Sequence, residues 1–236
     1  MAPLGLIPFS CRKSRVGEIT KKALFHEELS LEAADGFVTT AALTELGVED
    51  ELAAPFLERG PLCFLDFEAT GLDPNEDALI EAGAVYLEPG SAKARLFSTF
   101  IHTDIPLSPF IRRLTGITQA DIDHAPPLAK VAEALDDFIG EAEVVAHNAD
   151  FESGWLKTAV NPRFGEHAFL DTVELLALVY PDSRNMKLDT FCRAKLGRKE
   201  RHRAIDDALD TLRVTINVAA EARGGSPAAA NAGRAL

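Results

Sequence analysis

Cysteine is scarce in this chain of 236 residues: Cys11, Cys63 and Cys192 are the full set. Their spacing excludes a disulfide framework and a cysteine-built metal site. Cys63 and Cys192 lie in apolar patterns and read as buried thiols, which suits a reducing, cytoplasmic compartment. Basic residues are in deficit too, 24 Lys plus Arg against 37 Asp plus Glu, for a net charge of −13. That excludes a protein that coats nucleic acid by bulk charge, although cations held at an acidic site can still bridge to phosphate. No apolar run is long enough to span a membrane. Near the N-terminus Arg12, Lys13 and Arg15 follow the apolar residues, the wrong order for a secretory signal. Glutamine occurs once, at Gln119, and begins no hydrophobic sliding-clamp motif. What remains is length enough for one large domain, or one domain with an extension, and a 47% hydrophobic content that can fill its core.

The chain is organised around Phe64-Leu65-Asp66-Phe67-Glu68-Ala69-Thr70-Gly71-Leu72. Cys63 to Phe67 reads as a short buried strand between Pro61 and Gly71. Side chains alternate along a strand, so Asp66 and Glu68 share a face, about 7 Å apart. Burying two unpaired carboxylates is costly. No Lys or Arg occurs between Pro61 and Ala92, so the pair reads as half of a divalent-metal site. The plain alternative is a strand end with solvated acids.

Residues 1–59 read as an extension that packs on the main domain or mediates an interaction, with helical spacing in Ile19 to Leu31 and in Ala41 to Ala54; a poorly ordered leader is the alternative. Ala78 to Leu87 and Ala94 to His102 continue the first strand as an antiparallel meander. Helical spacing follows in Leu128 to Ile139 after Pro126-Pro127. Further strands are predicted at Glu143 to Ala146 and Ala168 to Leu170. Helices are predicted at Phe151 to Val160, Val173 to Val179, Leu188 to Leu196 and Ala204 to Ala222. Strands first, then helices and strands in alternation, imply an α/β layer fold on a mixed sheet. The domain is expected over 60–223, with a disordered tail over 224–236.

Two further polar clusters sit where the chain enters helices. His147-Asn148-Ala149-Asp150-Phe151-Glu152 follows a buried strand, the place where open α/β sheets put their sites; capping and the helix dipole are the alternative. His202-Arg203-Ala204-Ile205-Asp206-Asp207-Ala208 opens the last helix and allows the same alternative. Together with Asp66-Phe67-Glu68 and Thr70-Gly71-Leu72, these clusters resemble, in order, the motifs of the DEDD superfamily of 3′–5′ exonucleases. The third, His202-x-Ala204-x-x-Asp207-Ala208, resembles the histidine-bearing DEDDh (DnaQ-like) branch. That branch includes the proofreading epsilon subunit of DNA polymerase III, ribonuclease T and oligoribonuclease. Leu114-Thr115-Gly116-Ile117-Thr118 matches a segment usual in the epsilon-like group. The resemblance spans about Gly60 to Arg223 and implies a ribonuclease H-like fold, here a five-stranded mixed sheet flanked by helices.

The resemblance further implies a catalytic set of Asp66, Glu68, Glu152, Asp207 and His202. The acids would hold two divalent cations, Mg2+ or Mn2+, with Asp66 bridging. Where the family carries Asp directly after the Phe of the second motif, this chain carries Glu152; Asp150 is its substitute. Two such cations about 3.5–4 Å apart place a water in line and stabilise the leaving oxyanion, and hard cations prefer oxygen ligands. His202, on a flexible approach to the helix, is the candidate base. Terminal-nucleotide contacts are expected from Ala69, Thr70, Gly71, Leu72, Leu114, Thr115, Gly116, Ile117, His147 and Asn148. Trp155 reads as core rather than as a stacking platform. The expected substrate is a single-stranded 3′ end, DNA before RNA, and the expected product a nucleoside 5′-monophosphate. A DNA polymerase is a candidate partner. RNA trimming is the alternative within the enzyme class; a weakly active nucleic-acid-binding accessory protein is the alternative outside it.

Overall fold

The computed structural model describes residues 37–224; the helical spacing of Ile19 to Leu31 and the tail after Gly224 lie outside them. The sheet is built from β1 (Val38–Ala42), β2 (Leu62–Ala69), β3 (Leu79–Leu87), β4 (Lys93–Phe100), β5 (Glu143–Ala146) and β6 (Phe169–Asp171). The helices are α1 (Asp50–Leu57), α2 (Pro109–Thr115), α3 (Gln119–Asp123), α4 (Leu128–Ile139), α5 (Asp150–Trp155), α6 (Thr172–Val179), α7 (Leu188–Phe191) and α8 (Ala204–Ala222). The order across the sheet is β1-β4-β3-β2-β5-β6. β2, β3 and β4 form the antiparallel meander, while β2, β5 and β6 run parallel.

Six strands replace the expected five, because β1 arises within the stretch read as an extension. Val38, Thr39 and Thr40 suit a pleated edge, and β1 pairs antiparallel with β4, covering an edge that would otherwise be open. The helical spacing seen over Ala41 to Ala54 has another origin. Leu43, Leu46, Val48 and Ala53 are all buried, but they reach the core from a turn and from α1.

β2 divides the core. Cys63, Leu65 and Phe67 pack on one face with Val131, Leu135, Phe138 and Trp155. Leu62 and Phe64 pack on the other with Ile205, Ala208, Leu209, Leu212 and Ile216, the i, i+3, i+4 stripe of α8. Asp66 and Glu68 continue the second face. The same strand side that buries two apolar residues under α8 therefore aims two carboxylates at the start of that helix. Close approach is secured at Gly83 of β3: a Cβ there would sit 2.2 Å from the backbone of Ala204 and Ile205.

Candidate metal and catalytic site

Asp66 and Glu68 come from β2, Glu152 from α5 and Asp207 from α8. One ligand atom each of Glu68, His202 and Asp207 lie within 4.8 Å of one another. Asp66 joins them electrostatically: burial first, then repulsion from Asp207, Glu68 and Glu152, pushes its carboxyl well above the usual range. Burial pushes Glu68 up to about 8; Glu81 and Glu200 add to this and Arg203 opposes it. Burial also takes Glu152 to about 8, with Asp171 and Glu68 contributing. Asp207 is raised by burial and by Glu200 and Glu68. Carboxylates so close in so little water repel unless protons or cations intervene.

Glu152 and Asp150 are separated clearly. Glu152 is 2% exposed and, among the described residues, its Oε2 has no hydrogen-bond partner. Asp150 is exposed and its side chain does not cap α5. An orphaned buried carboxylate oxygen is costly, and a hard cation is the partner its chemistry fits.

The approach to α8 is tied rather than flexible. His202 adopts φ +52°, unusual for a residue with a Cβ. The amides of Arg201 and Arg203 both donate to the Asp207 carboxylate, each at 3.3 Å. Arg203 Nη2 and Nε donate to Glu81 at 2.6 and 2.9 Å, and the Ala204 amide donates to Glu81 Oε2 at 3.1 Å. Glu81 is 1% exposed and stands opposite Glu68 in the β2–β3 register. Asp207 thus organises the loop that carries His202, and Glu81 of β3 replaces the missing side-chain cap of α8. Glu81, Glu200 and Asp171 were not singled out in the sequence. Glu81 sits in an unbroken apolar strand, where an acid facing a distant arginine leaves no local signal.

The second cluster forms a scaffold beside the acids. His147 Nδ1 lies 2.9 Å from Thr172 Oγ1, whose hydroxyl donates to the Ala146 carbonyl. Burial lowers the His147 pKa, which favours neutral imidazole. Asn148, at φ +66°, donates its amide to Asp171 Oδ1, and the same oxygen receives the Val173 amide at the start of α6.

The expected nucleotide contacts divide into supports and exposed tips. Thr70 Oγ1 donates to Asp77 and accepts from the Ala78 amide. A Cβ on Gly71 would meet the Asp77 carboxylate at 2.3 Å, so the turn closes tightly. Thr115 Oγ1 accepts from the Ile117 amide, and Gly116 ends α2 at φ +72°. Ala69 and Ile117 are buried; Ile117 packs with Ile80 and Phe100 and its side chain is core. Leu72 is 83% exposed and Leu114 37%. These two, rather than the whole stretch, offer apolar surface. Trp155 is buried with its ring against Phe151, as core.

A family model described as exonuclease (RNase T) matches residues 63–215. The PolC-type DNA polymerase III of Caldanaerobacter subterraneus is 36% identical over 165 residues, covering 67% of this chain and 12% of the polymerase. That of Bacillus subtilis is 32% identical over 171 residues, covering 70% and 12%. The chain therefore spans about 12% of the length of these polymerases. Among solved structures, E. coli Exonuclease I in complex with a 5cy-dT13 oligonucleotide aligns with a TM-score of 0.55 at 16% identity, covering 70% of this chain and 41% of that one. The nuclease domain of 3′hExo, a DEDDh family member bound to rAMP, aligns with a TM-score of 0.52 at 23% identity, covering 70% and 92%. At these identities the structures speak for the fold, which is ribonuclease H-like.

Proposed function

The chain belongs to the RNase T exonuclease family, and from that premise we propose that it hydrolyses single-stranded nucleic acid from the 3′ end, DNA before RNA, releasing nucleoside 5′-monophosphates. The observation that supports this reading is the convergence of Asp66, Glu68, Glu152 and Asp207, buried acids that repel one another, each with a raised pKa. The donor set suits two hard divalent cations, Mg2+ or Mn2+, held by these residues with Glu152 rather than Asp150 as the third acid. Bound cations would activate the attacking water and stabilise the leaving oxyanion.

The chain's own residues do the rest. His202 accepts the proton of the attacking water at an imidazole nitrogen. Its strained backbone is fixed by the Asp207 and Glu81 contacts, so the ring is placed before substrate arrives. Leu72 and Leu114 present apolar surface to the terminal base, which any base can use. Asn148 and His147 flank the strand end on fixed backbone.

DNA is favoured because the polymerases that share a third of their aligned residues with this chain are DNA polymerases. By the same likeness a polymerase is the proposed partner, and the cytoplasm the proposed compartment. Among the described residues, no helix is long and apolar enough to cross a membrane. Residues 60–223 are the proposed catalytic unit, with β1 and α1 the part of the preceding segment that packs on it. RNA trimming is the second reading, favoured by the alignment with a nuclease domain bound to rAMP. Matched DNA and RNA strands of one sequence, degraded side by side with Mg2+, test the choice. Faster loss of the DNA strand is expected; a clear preference for RNA selects the second reading.

A further inference from the structure

Glu200 is a mostly buried carboxylate that none of the motifs contains. Its Oε1 stands 3.7 Å from His202 Nδ1, and among the described residues this is its one ion-pair contact. Glu200 is itself held. Its amide donates to Asp189 Oδ1 at 3.2 Å, and Asp189 Oδ2 receives Arg193 Nε at 2.7 Å. On its C-terminal side the backbone is tied to Asp207 through the amides of Arg201 and Arg203. Carboxylate and imidazole therefore sit on one short segment anchored at both ends.

An imidazole that takes a proton at one nitrogen works best when the other is fixed by a hydrogen-bond acceptor, which sets the tautomer and the ring plane. A separation of 3.7 Å is longer than a hydrogen bond, but such contacts are often long without substrate and tighten in the complex. The arginines nearby are engaged elsewhere: Arg203 with Glu81, Arg201 with Asp206, Arg198 with Asp210. We propose that Glu200 is a positioning residue that holds His202 through Nδ1, leaving Nε2 for the attacking water. The proposal rests on the reading of His202 as the base.

The test is a double-mutant cycle on the full chain, using a 3′-labelled oligodeoxynucleotide and saturating Mg2+. Glu200→Ala should lower kcat about 10–100-fold with KM unchanged. Glu200→Gln, which keeps an acceptor oxygen and the side-chain shape, should retain more activity than Glu200→Ala. In a His202→Ala background, Glu200→Ala should cost less than about twofold further, because the group it acts through is gone. If Glu200→Ala lowers the thermal midpoint, Glu200→Leu, which fills the space without an acceptor oxygen, takes its place in the cycle. A loss in the His202→Ala background as large as in the wild type would overturn the proposal and leave the His202 reading intact. So would a change confined to KM. A wild-type rate in His202→Ala would overturn both.

Discussion

The acid cluster and the apolar rim invert the usual rule of burial in opposite directions. In the cluster, Glu152 and Asp207 are buried at 2% exposure beside other acids. On the rim, Leu72 stands 83% in solvent on a turn whose other members are tightly bonded. Elsewhere in the described residues buried charge is paired: Asp210 lies between Arg198 and Arg213, and Glu81 grips Arg203. Under the proposed function both inversions await a ligand, cations in the first and a base in the second. If so, damage to the cluster should act on turnover, and damage to the rim on binding.

The largest effect is expected at the cluster. Asp66→Ala and Asp207→Ala should each lower kcat at least several hundredfold, since each removes a proposed cation ligand. Their metal-free stabilities should differ. Among the described residues no hydrogen bond holds the Asp66 carboxylate, so Asp66→Asn should raise the thermal midpoint by relieving the burial of charge and the repulsion from neighbouring acids. Asp207→Asn should gain less, because Asp207 also organises the Arg201 and Arg203 amides.

Next in size, Glu152→Gln should reduce kcat far more than Asp150→Asn, which should stay within about twofold as a surface change. The reverse ranking would move the ligand to Asp150. On the rim, Leu72→Ala should raise KM about tenfold and barely alter kcat, in keeping with the loss of one apolar contact worth roughly 1.5 kcal/mol. A kcat loss at Leu72 equal to that at Asp66 would erase the comparison.

The smallest effect is on stability. Glu68 and Glu152 rise from 4.5 in the unfolded chain to about 8 in the fold. The native state therefore holds more protons than the unfolded one, and stability present below about 4.5 is lost as pH rises through about 8. The metal-free midpoint should fall between pH 5 and pH 8, and Mg2+ should raise it more at pH 8 than at pH 5. A flat metal-free midpoint across that range would contradict the buried-acid account.

Much of this was legible because the chemistry follows local patterns. Asp66 and Glu68 declare a shared face by strand alternation, and the α8 stripe from Ile205 to Ile216 is plain helical spacing. What stayed hidden depends on contacts between distant segments. β1 is a short strand whose existence rests on the edge of β4. Leu43 and Leu46 mimic a helix because a turn happens to aim both inward. Glu81 matters through Arg203, 122 residues away, while Glu200 lies only two positions from His202 but belongs to no motif. Ile117 lies in a stretch that resembles a nucleotide contact, and its side chain is also buried in the core.

The proposed function requires that the converging acids hold divalent cations that drive cleavage at a 3′ end. Its most direct test follows an internally unmodified single strand labelled at the 3′-terminal nucleotide, with Mg2+ and again with chelator. Labelled mononucleotide is expected as the first product with Mg2+, and none with chelator. Release that persists without divalent cation, or longer labelled fragments as the first products, would contradict it.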